Sequence, residues 1–156
     1  MLQEGEKMEE FYENPFYSKW FEKCIFLLED EKIMLIDYER TLRKYGFTRI
    51  FLFQSVDEAL EKADEIEPDL VITDDTMMGI KTGQDAAYKF KRRFNIPVIG
   101  LGTQSLYFWV KNMKYEHQID EIMYKPFREK ELIDRITFAL MKHDEHRKQN
   151  LIENEK

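Results

Sequence analysis

The stretch at residues 70–83, LVITDDTMMGIKTG, contains the pattern that decides the fold. Four apolar or β-branched residues run directly into two carboxylates, Asp74 and Asp75, and then into a loop punctuated by glycine. A short apolar run of this kind indicates a strand that is buried on both faces. Because a buried strand that ends in acid is costly unless something cationic meets it, the stretch predicts a cation at this end of a sheet.

Four further segments are short and largely apolar or β-branched: Cys24–Leu28, residues 48–53, residues 97–101 and Glu121–Tyr124. Segments with helical periodicity lie between and after the five strands: residues 34–45, residues 56–63 behind an N-cap-like Ser55, residues 84–94, residues 104–115 and residues 128 to about 142. Alternating short strands and helices predict an α/β fold, a doubly wound five-stranded parallel sheet with helices on both sides.

The composition excludes several classes of function. The net charge is −7, and the 24 Lys and Arg are scattered among 31 Asp and Glu, so we expect no nucleic-acid partner. The apolar runs are too short to span a membrane, and the acidic residues 1–10 do not resemble a signal peptide. A single cysteine, Cys24, permits no intramolecular disulfide and fits a cytoplasmic protein.

Charged and polar side chains follow the predicted strands at their carboxyl ends. Glu29 and Asp30 end the first strand, Asp74 the third and Lys125 the fifth, while Thr103 follows the fourth. Ligands of doubly wound sheets bind beyond these ends, so we expect the five residues to converge. Three carboxylates at one edge repel each other, and a hard divalent cation with oxygen ligands relieves that repulsion. The sequence therefore predicts a Mg²⁺ site at Glu29, Asp30 and Asp74.

A carboxylate can also act as the nucleophile that receives a phosphoryl group, and Asp74 is the best placed for that chemistry. Lys125 would then neutralise a phosphoryl oxygen as a point charge. The alternative is that Asp74 and Asp75 simply cap the next turn, as acids after strands often do. For Asp75 we prefer this alternative, because strand alternation points its side chain away from the site.

Four motifs occur in order: LLEDE at 27–31, DLVITD at 69–74 followed by Gly79 and Gly83, IPVI at 96–99, and KPF at 125–127. Together they resemble the receiver domain of two-component response regulators over about residues 23–142. The resemblance implies a flavodoxin-like (βα)5 fold and a phosphoryl group donated by a histidine kinase or a histidine phosphotransfer protein.

The resemblance also implies a role for each matching residue. Asp74 looks like the phosphoacceptor, Glu29 and Asp30 like the metal-binding pair, and Lys125 like the phosphate-binding lysine. The backbone carbonyl of Thr76 would be the remaining protein ligand to Mg²⁺.

The sequence departs from the receiver pattern at several positions. Gly102 stands where the family has Ser or Thr; a glycine-permitted bulge could bring the Thr103 hydroxyl into that place. Ile122 stands at the position of the family's switch aromatic, and Tyr124 is expected on the opposite strand face. Met78 replaces the usual proline, which loosens a turn without removing a ligand.

Two aromatic segments suggest further contacts. Residues 11–21, FYENPFYSKWF, are expected to dock on the domain, with Pro15 in the first turn of a helix. In residues 104–115 one stripe is expected in the core (Leu106, Trp109, Val110 and Met113), which leaves Tyr107, Phe108 and Tyr115 as a contact surface. We expect an aromatic extension at 1–22, a receiver at 23–142 and a charged tail at 143–156.

The sequence predicts a single-domain response regulator that is phosphorylated on Asp74 and signals by protein contact with an unknown target, with a homodimer possible. It is not expected to be an enzyme beyond its own phosphotransfer and dephosphorylation. A pseudo-receiver, folded alike but signalling by constitutive contact, is the alternative that Gly102 and Ile122 favour. An aspartyl-phosphate phosphatase or flavin-binding domain is disfavoured, because a D-x-D motif and a phosphate-cradling loop are missing.

Overall fold

The structure, a computed structural model, describes residues 4–77, 82–103, 111 and 119–156. Its centre is a five-stranded parallel sheet in the order β2-β1-β3-β4-β5. The strands are β1 (Cys24–Leu28), β2 (Arg49–Phe53), β3 (Leu70–Asp74), β4 (Val98–Gly102) and β5 (Glu121–Tyr124). The predicted fold class is therefore confirmed, and the strand order reverses direction between β1 and β3.

Six helices are described: α1 (Glu4–Glu13), α2 (Pro15–Ser18), α3 (Lys32–Lys44), α4 (Val56–Glu65), α5 (Gly83–Phe94) and α6 (Glu129–Asn154). The Ser55 side chain caps α4 by accepting from the Glu58 N–H at 3.2 Å, as the sequence predicted. The helix predicted for residues 104–115 lies outside the described residues, apart from Lys111. In the described part of the chain, no helix combines the length and the apolar character needed to cross a membrane.

Strand alternation divides the core into two layers. The first lies on the face of α3 and α6 and includes Leu27, Ile72 and Met123. The second lies on the face of α4 and α5 and includes Phe26 and Val71. A side chain two positions after a first-layer residue points to the same face of the sheet. This alternation determines which polar side chains meet at the strand ends.

The last helix is longer than predicted. We expected it to end near Lys142, but α6 continues to Asn154. The added turns contain no glycine or proline to stop them, and they are supported by an ion pair four residues apart, between Lys148 and Asp144 at 3.1 Å. Helix propensity and local ion pairing therefore stabilise the part of α6 that extends beyond the core.

The aromatic N-terminal segment docks on the first core layer. Pro15 opens α2 and the Asn14 side chain accepts from the Phe16 N–H at 3.0 Å, so the predicted place of Pro15 in the first turn of a helix is confirmed. Phe11 and Trp20 are only 8% and 4% exposed within the core cluster that α3 and α6 share. The segment is thus part of the folded core.

Candidate functional site

Three charged side chains meet where β1, β3 and β5 end. The Lys125 ammonium contacts the Asp74 carboxylate at Oδ2 and lies 3.4 Å from Glu29 Oε2. Glu29 and Asp74 are only 3% and 2% exposed. All three continue the alternation of the first core layer, which is why they face each other. The structure thus brings together three of the residues that the sequence selected for this site.

The second oxygen of Asp74 is held from the opposite side. Asp74 Oδ1 accepts hydrogen bonds from the Thr76 backbone N–H at 2.9 Å and from the Thr76 hydroxyl at 2.8 Å. Burial by itself would raise the pKa of Asp74, but hydrogen bonds with Glu29, Lys125 and Thr76 outweigh burial and lower it to about 2. Asp74 is therefore an oriented, ionised carboxylate.

The pKa of Glu29 is shifted upwards, opposite to that of Asp74. Burial, reinforced by the neighbouring Asp74 and Asp30 carboxyl groups, raises the pKa of Glu29 to about 8. Burial also disfavours the charged form of Lys125, but the Asp74 carboxylate outweighs it and holds the pKa of Lys125 above its usual value. The site thus crowds buried carboxyl groups, and a further cation would favour the ionised form of Glu29.

The acids after β1 form a compact group of oxygen donors. Glu29, Asp30 and Glu31 place carboxylate oxygens within 4.8 Å of one another. Hard divalent cations such as Mg²⁺ take such ligands and retain several waters, so the donor set fits the ion that the sequence predicted. Asp74 stands beside this group with its carboxylate engaged by Lys125. A cation drawing on Asp74 would therefore compete with the Lys125 ammonium.

Two glycines bring the backbone close to the site. A β-carbon at Gly83 would collide with the Asp74 carbonyl oxygen, so α5 can begin directly against the end of β3 only because position 83 is glycine. A β-carbon at Gly102 would collide with the Asp75 carboxylate. Asp75 thus points away from Asp74, as expected, and fills the space that a side chain at position 102 would need.

The bulge that glycine would permit in β4 does not form. Pairing with β3 runs regularly from Val98 to Leu101, and Gly102 pairs with Tyr124 of β5. Thr103 follows the strand as an exposed residue. Regular pairing already satisfies these backbone groups, since the Lys125 N–H donates to the Gly102 carbonyl at 2.8 Å.

The expected orientation of Tyr124 is wrong. Along β5, Glu121 and Met123 are buried, whereas Ile122 is half-buried and Tyr124 is 47% exposed. Ile122 and Tyr124 therefore share a strand face, since side chains two positions apart point the same way. An aromatic ring is thus present on the face of the switch position, two residues later.

Sequence reasoning missed three contributions to the site. Thr76 was selected for its carbonyl, but its amide and hydroxyl bind Asp74. Glu31 belongs to the acidic group, which the run of three acids could have indicated. Tyr38 lies in the predicted helical segment 34–45 with no role expected at the site, yet it is 5% exposed and its ring stacks on Phe127 with centroids 6.0 Å apart.

A family model described as the response regulator receiver domain matches residues 25–137. The chain belongs to this receiver domain family. The matched residues include β2 to β5, β1 from Ile25 onward, and the charged residues of the site from Glu29 to Lys125. Membership of this family supports a role in two-component signalling.

Solved structures with the same fold support the assignment. A response regulator receiver protein from Sinorhizobium medicae is 28% identical with a TM-score of 0.67, over 78% of this chain and 97% of its own. NtrX from Brucella abortus is 20% identical with a TM-score of 0.74, over 84% of this chain. The anti-anti-sigma factor PhyR from Bartonella quintana is 18% identical with a TM-score of 0.71, over 94% of this chain. The present chain covers only 29% of the NtrX chain and 56% of the PhyR chain.

Proposed function

We propose that this receiver accepts a phosphoryl group on Asp74 from a phosphohistidine of a kinase or phosphotransfer protein. The observation that carries the proposal is the pair of restraints on Asp74, with Thr76 holding Oδ1 and Lys125 contacting Oδ2. An ionised carboxylate fixed in this way is an oriented nucleophile.

In the reaction, an Asp74 oxygen attacks phosphorus, an O–P bond forms, and the N–P bond to the donor histidine breaks. The electron pair of that bond remains on the imidazole nitrogen, and the product is an acyl phosphate. Water later attacks phosphorus, which restores the carboxylate and releases inorganic phosphate. Lys125 is placed to shift from Asp74 to a phosphoryl oxygen, because its flexible stem carries a mobile point charge.

Glu29, Asp30, Asp74 and the Thr76 carbonyl would hold Mg²⁺ in this proposal. When bound, the ion would neutralise charge on the phosphoryl oxygens. Glu31 is a further oxygen donor beside the pair. The proposed output is a changed contact with a downstream protein.

Mass spectrometry after incubation with acetyl phosphate and Mg²⁺ tests the proposal. We expect one phosphoryl adduct on the wild type and none on Asp74→Asn. Asp75→Asn is the matched control, because it changes the neighbouring carboxylate that faces Gly102, and it should retain the adduct. An adduct on Asp74→Asn, or none on the wild type, would contradict the proposal.

A pseudo-receiver is the second candidate, and one observation favours it. Gly102 offers no hydroxyl for a phosphoryl group, and the Asp75 carboxylate occupies the position that a β-carbon there would take. A wild type that binds its partner equally well with and without acetyl phosphate would support this alternative.

A further inference from the structure

Tyr38 places a buried hydroxyl beside the site without a hydrogen-bond partner. The residue lies on α3 and is 5% exposed. Among the described residues, nothing accepts from or donates to its hydroxyl oxygen. Buried hydroxyl groups are almost always hydrogen-bonded, so an orphan next to a reactive centre calls for a physical explanation.

The surroundings of the hydroxyl connect it to Lys125. The Tyr38 ring stacks on Phe127, two residues after Lys125, with the ring planes 23° apart. Burial raises the pKa of Tyr38 to about 12, and the charged groups that act on the hydroxyl are Lys125, Glu29 and Asp74. Tyr38 therefore remains a neutral phenol at neutral pH and can both donate and accept a hydrogen bond.

The Lys125 ammonium has three N–H groups, and in this state it contacts the two carboxylates. Phosphorylation would convert an Asp74 carboxylate oxygen into the bridging oxygen of an acyl phosphate and place the negative charge on the phosphoryl oxygens. The Lys125 ammonium would then lose its ion pair with Asp74 and move to a phosphoryl oxygen. A flexible lysine needs a second anchor to hold one position there.

We propose that Tyr38 is a positioning residue for Lys125: its hydroxyl accepts one ammonium N–H while another N–H addresses the phosphoryl oxygen. This inference rests on the proposed function of Asp74. It accounts for a hydroxyl that already interacts with the Lys125 ammonium but makes no hydrogen bond of normal geometry in the free protein, because that bond is completed when the ammonium moves.

Tyr38→Phe tests the inference, since it keeps the ring that stacks on Phe127 and removes the oxygen. Free Tyr38→Phe should be at least as stable as the wild type, because an unpartnered buried group is lost. It should bind Mg²⁺ with unchanged affinity. With Mg²⁺ present, its affinity for beryllofluoride, a phosphoryl mimic, should fall about tenfold, the loss expected for a hydrogen bond to a charged donor.

Nuclear magnetic resonance with isotope-labelled lysine reports on the mechanism directly. The Lys125 side-chain signal, assigned by its loss in Lys125→Met, should differ between wild type and Tyr38→Phe in the beryllofluoride state. Tyr45→Phe is the matched control near the end of the same helix and should change neither the affinity nor this signal.

Wild-type beryllofluoride affinity in Tyr38→Phe, or an unchanged Lys125 signal, would overturn the inference while leaving the proposed function standing. Equal losses of Mg²⁺ and beryllofluoride affinity would also overturn it, because they would indicate a general structural role. A wild type that does not bind beryllofluoride would overturn the proposed function, and this inference with it.

Discussion

Removing the Lys125 ammonium should destabilise the metal-free protein, and Mg²⁺ should reverse much of that loss. Lys125→Met keeps most of the aliphatic stem but leaves Asp74, 2% exposed, without its cation. Breaking a buried ion pair from one side costs about 3–5 kcal/mol. We expect the lower figure, because the pKa of Glu29 is raised to about 8 and this second acid is largely neutral at pH 7.

The cation and the ammonium compete for the same carboxylate, so Lys125→Met should bind Mg²⁺ more tightly than the wild type. Mg²⁺ at a hundred times its Kd stabilises a folded protein by about 2.7 kcal/mol. At equal Mg²⁺ concentration the variant therefore gains more stability, and the difference between the two proteins narrows. Urea unfolding in chelator and in Mg²⁺, with calorimetry for the affinity, measures both effects.

Lys130→Met is the matched control. Lys130 also contacts a carboxylate, Asp134 at 2.9 Å, but its side chain is 45% exposed. Exposed pairs contribute at most about 1 kcal/mol, so this variant should lose little stability, and equally with and without Mg²⁺. The loss of unfolding free energy in Lys125→Met should differ between chelator and Mg²⁺. An equal loss in both, or the same behaviour in Lys130→Met, would refute competition between Mg²⁺ and the Lys125 ammonium for Asp74.

Three further outcomes are expected. Phe11→Ala should lower the free energy of unfolding in urea by about 3 kcal/mol, because Phe11 is 8% exposed. Phe16→Ala should lower it clearly less, because Phe16 is 38% exposed. Equal losses would contradict docking of the N-terminal segment. Cys24 is 0% exposed and burial raises its pKa to about 11, so iodoacetamide should modify it only after unfolding; rapid alkylation of the native protein would be inconsistent with this burial. The pKa of Glu29 is raised from 4.5 to about 8 in the folded state, so between these pH values folded Glu29 keeps a proton that the unfolded chain has lost. In chelator, the free energy of unfolding should therefore fall as the pH rises through that range. Glu29→Gln should flatten this slope, and an identical profile would count against a buried, protonated Glu29.

One hypothesis from the sequence is that the aromatic N-terminal segment, residues 11–21, covers the exposed aromatic residues of the helix predicted at 104–115 in one signalling state. Residues 104–115, which would form that helix, lie outside the described residues apart from Lys111. The described contacts of the segment are with the layer of α3 and α6: the Phe11 ring lies 5.2 Å from Tyr45, and the Tyr17 hydroxyl donates to Asp134 at 2.9 Å. These contacts favour the simpler alternative, in which the segment enlarges the core. Hydrogen exchange with and without beryllofluoride tests the hypothesis, and unchanged protection of residues 11–21 and 104–115 would contradict it.

The sequence by itself determined the strands, their order along the chain and the edge at which the charged residues gather. Short β-branched runs and helical periodicity are local patterns, and parallel strands must place their carboxyl ends together. Glu29, Asp74 and Lys125 could therefore be selected from position alone. The starts of two helices could be predicted for the same reason, as the Ser55 cap and the position of Pro15 show.

Tertiary structure alone decided how each side chain is used. Position along the chain does not reveal that Asp75 occupies the space above Gly102, because that contact joins the ends of two strands. Nor does the helical periodicity of residues 34–45 reveal that the Tyr38 hydroxyl lies near Lys125 without a hydrogen bond of normal geometry. Regular pairing of β4 likewise left Thr103 exposed, where the glycine pattern permitted a bulge. Burial, backbone pairing and distances across the sheet are global properties, and they set the pKa values and hydrogen bonds from which the chemistry of the site follows.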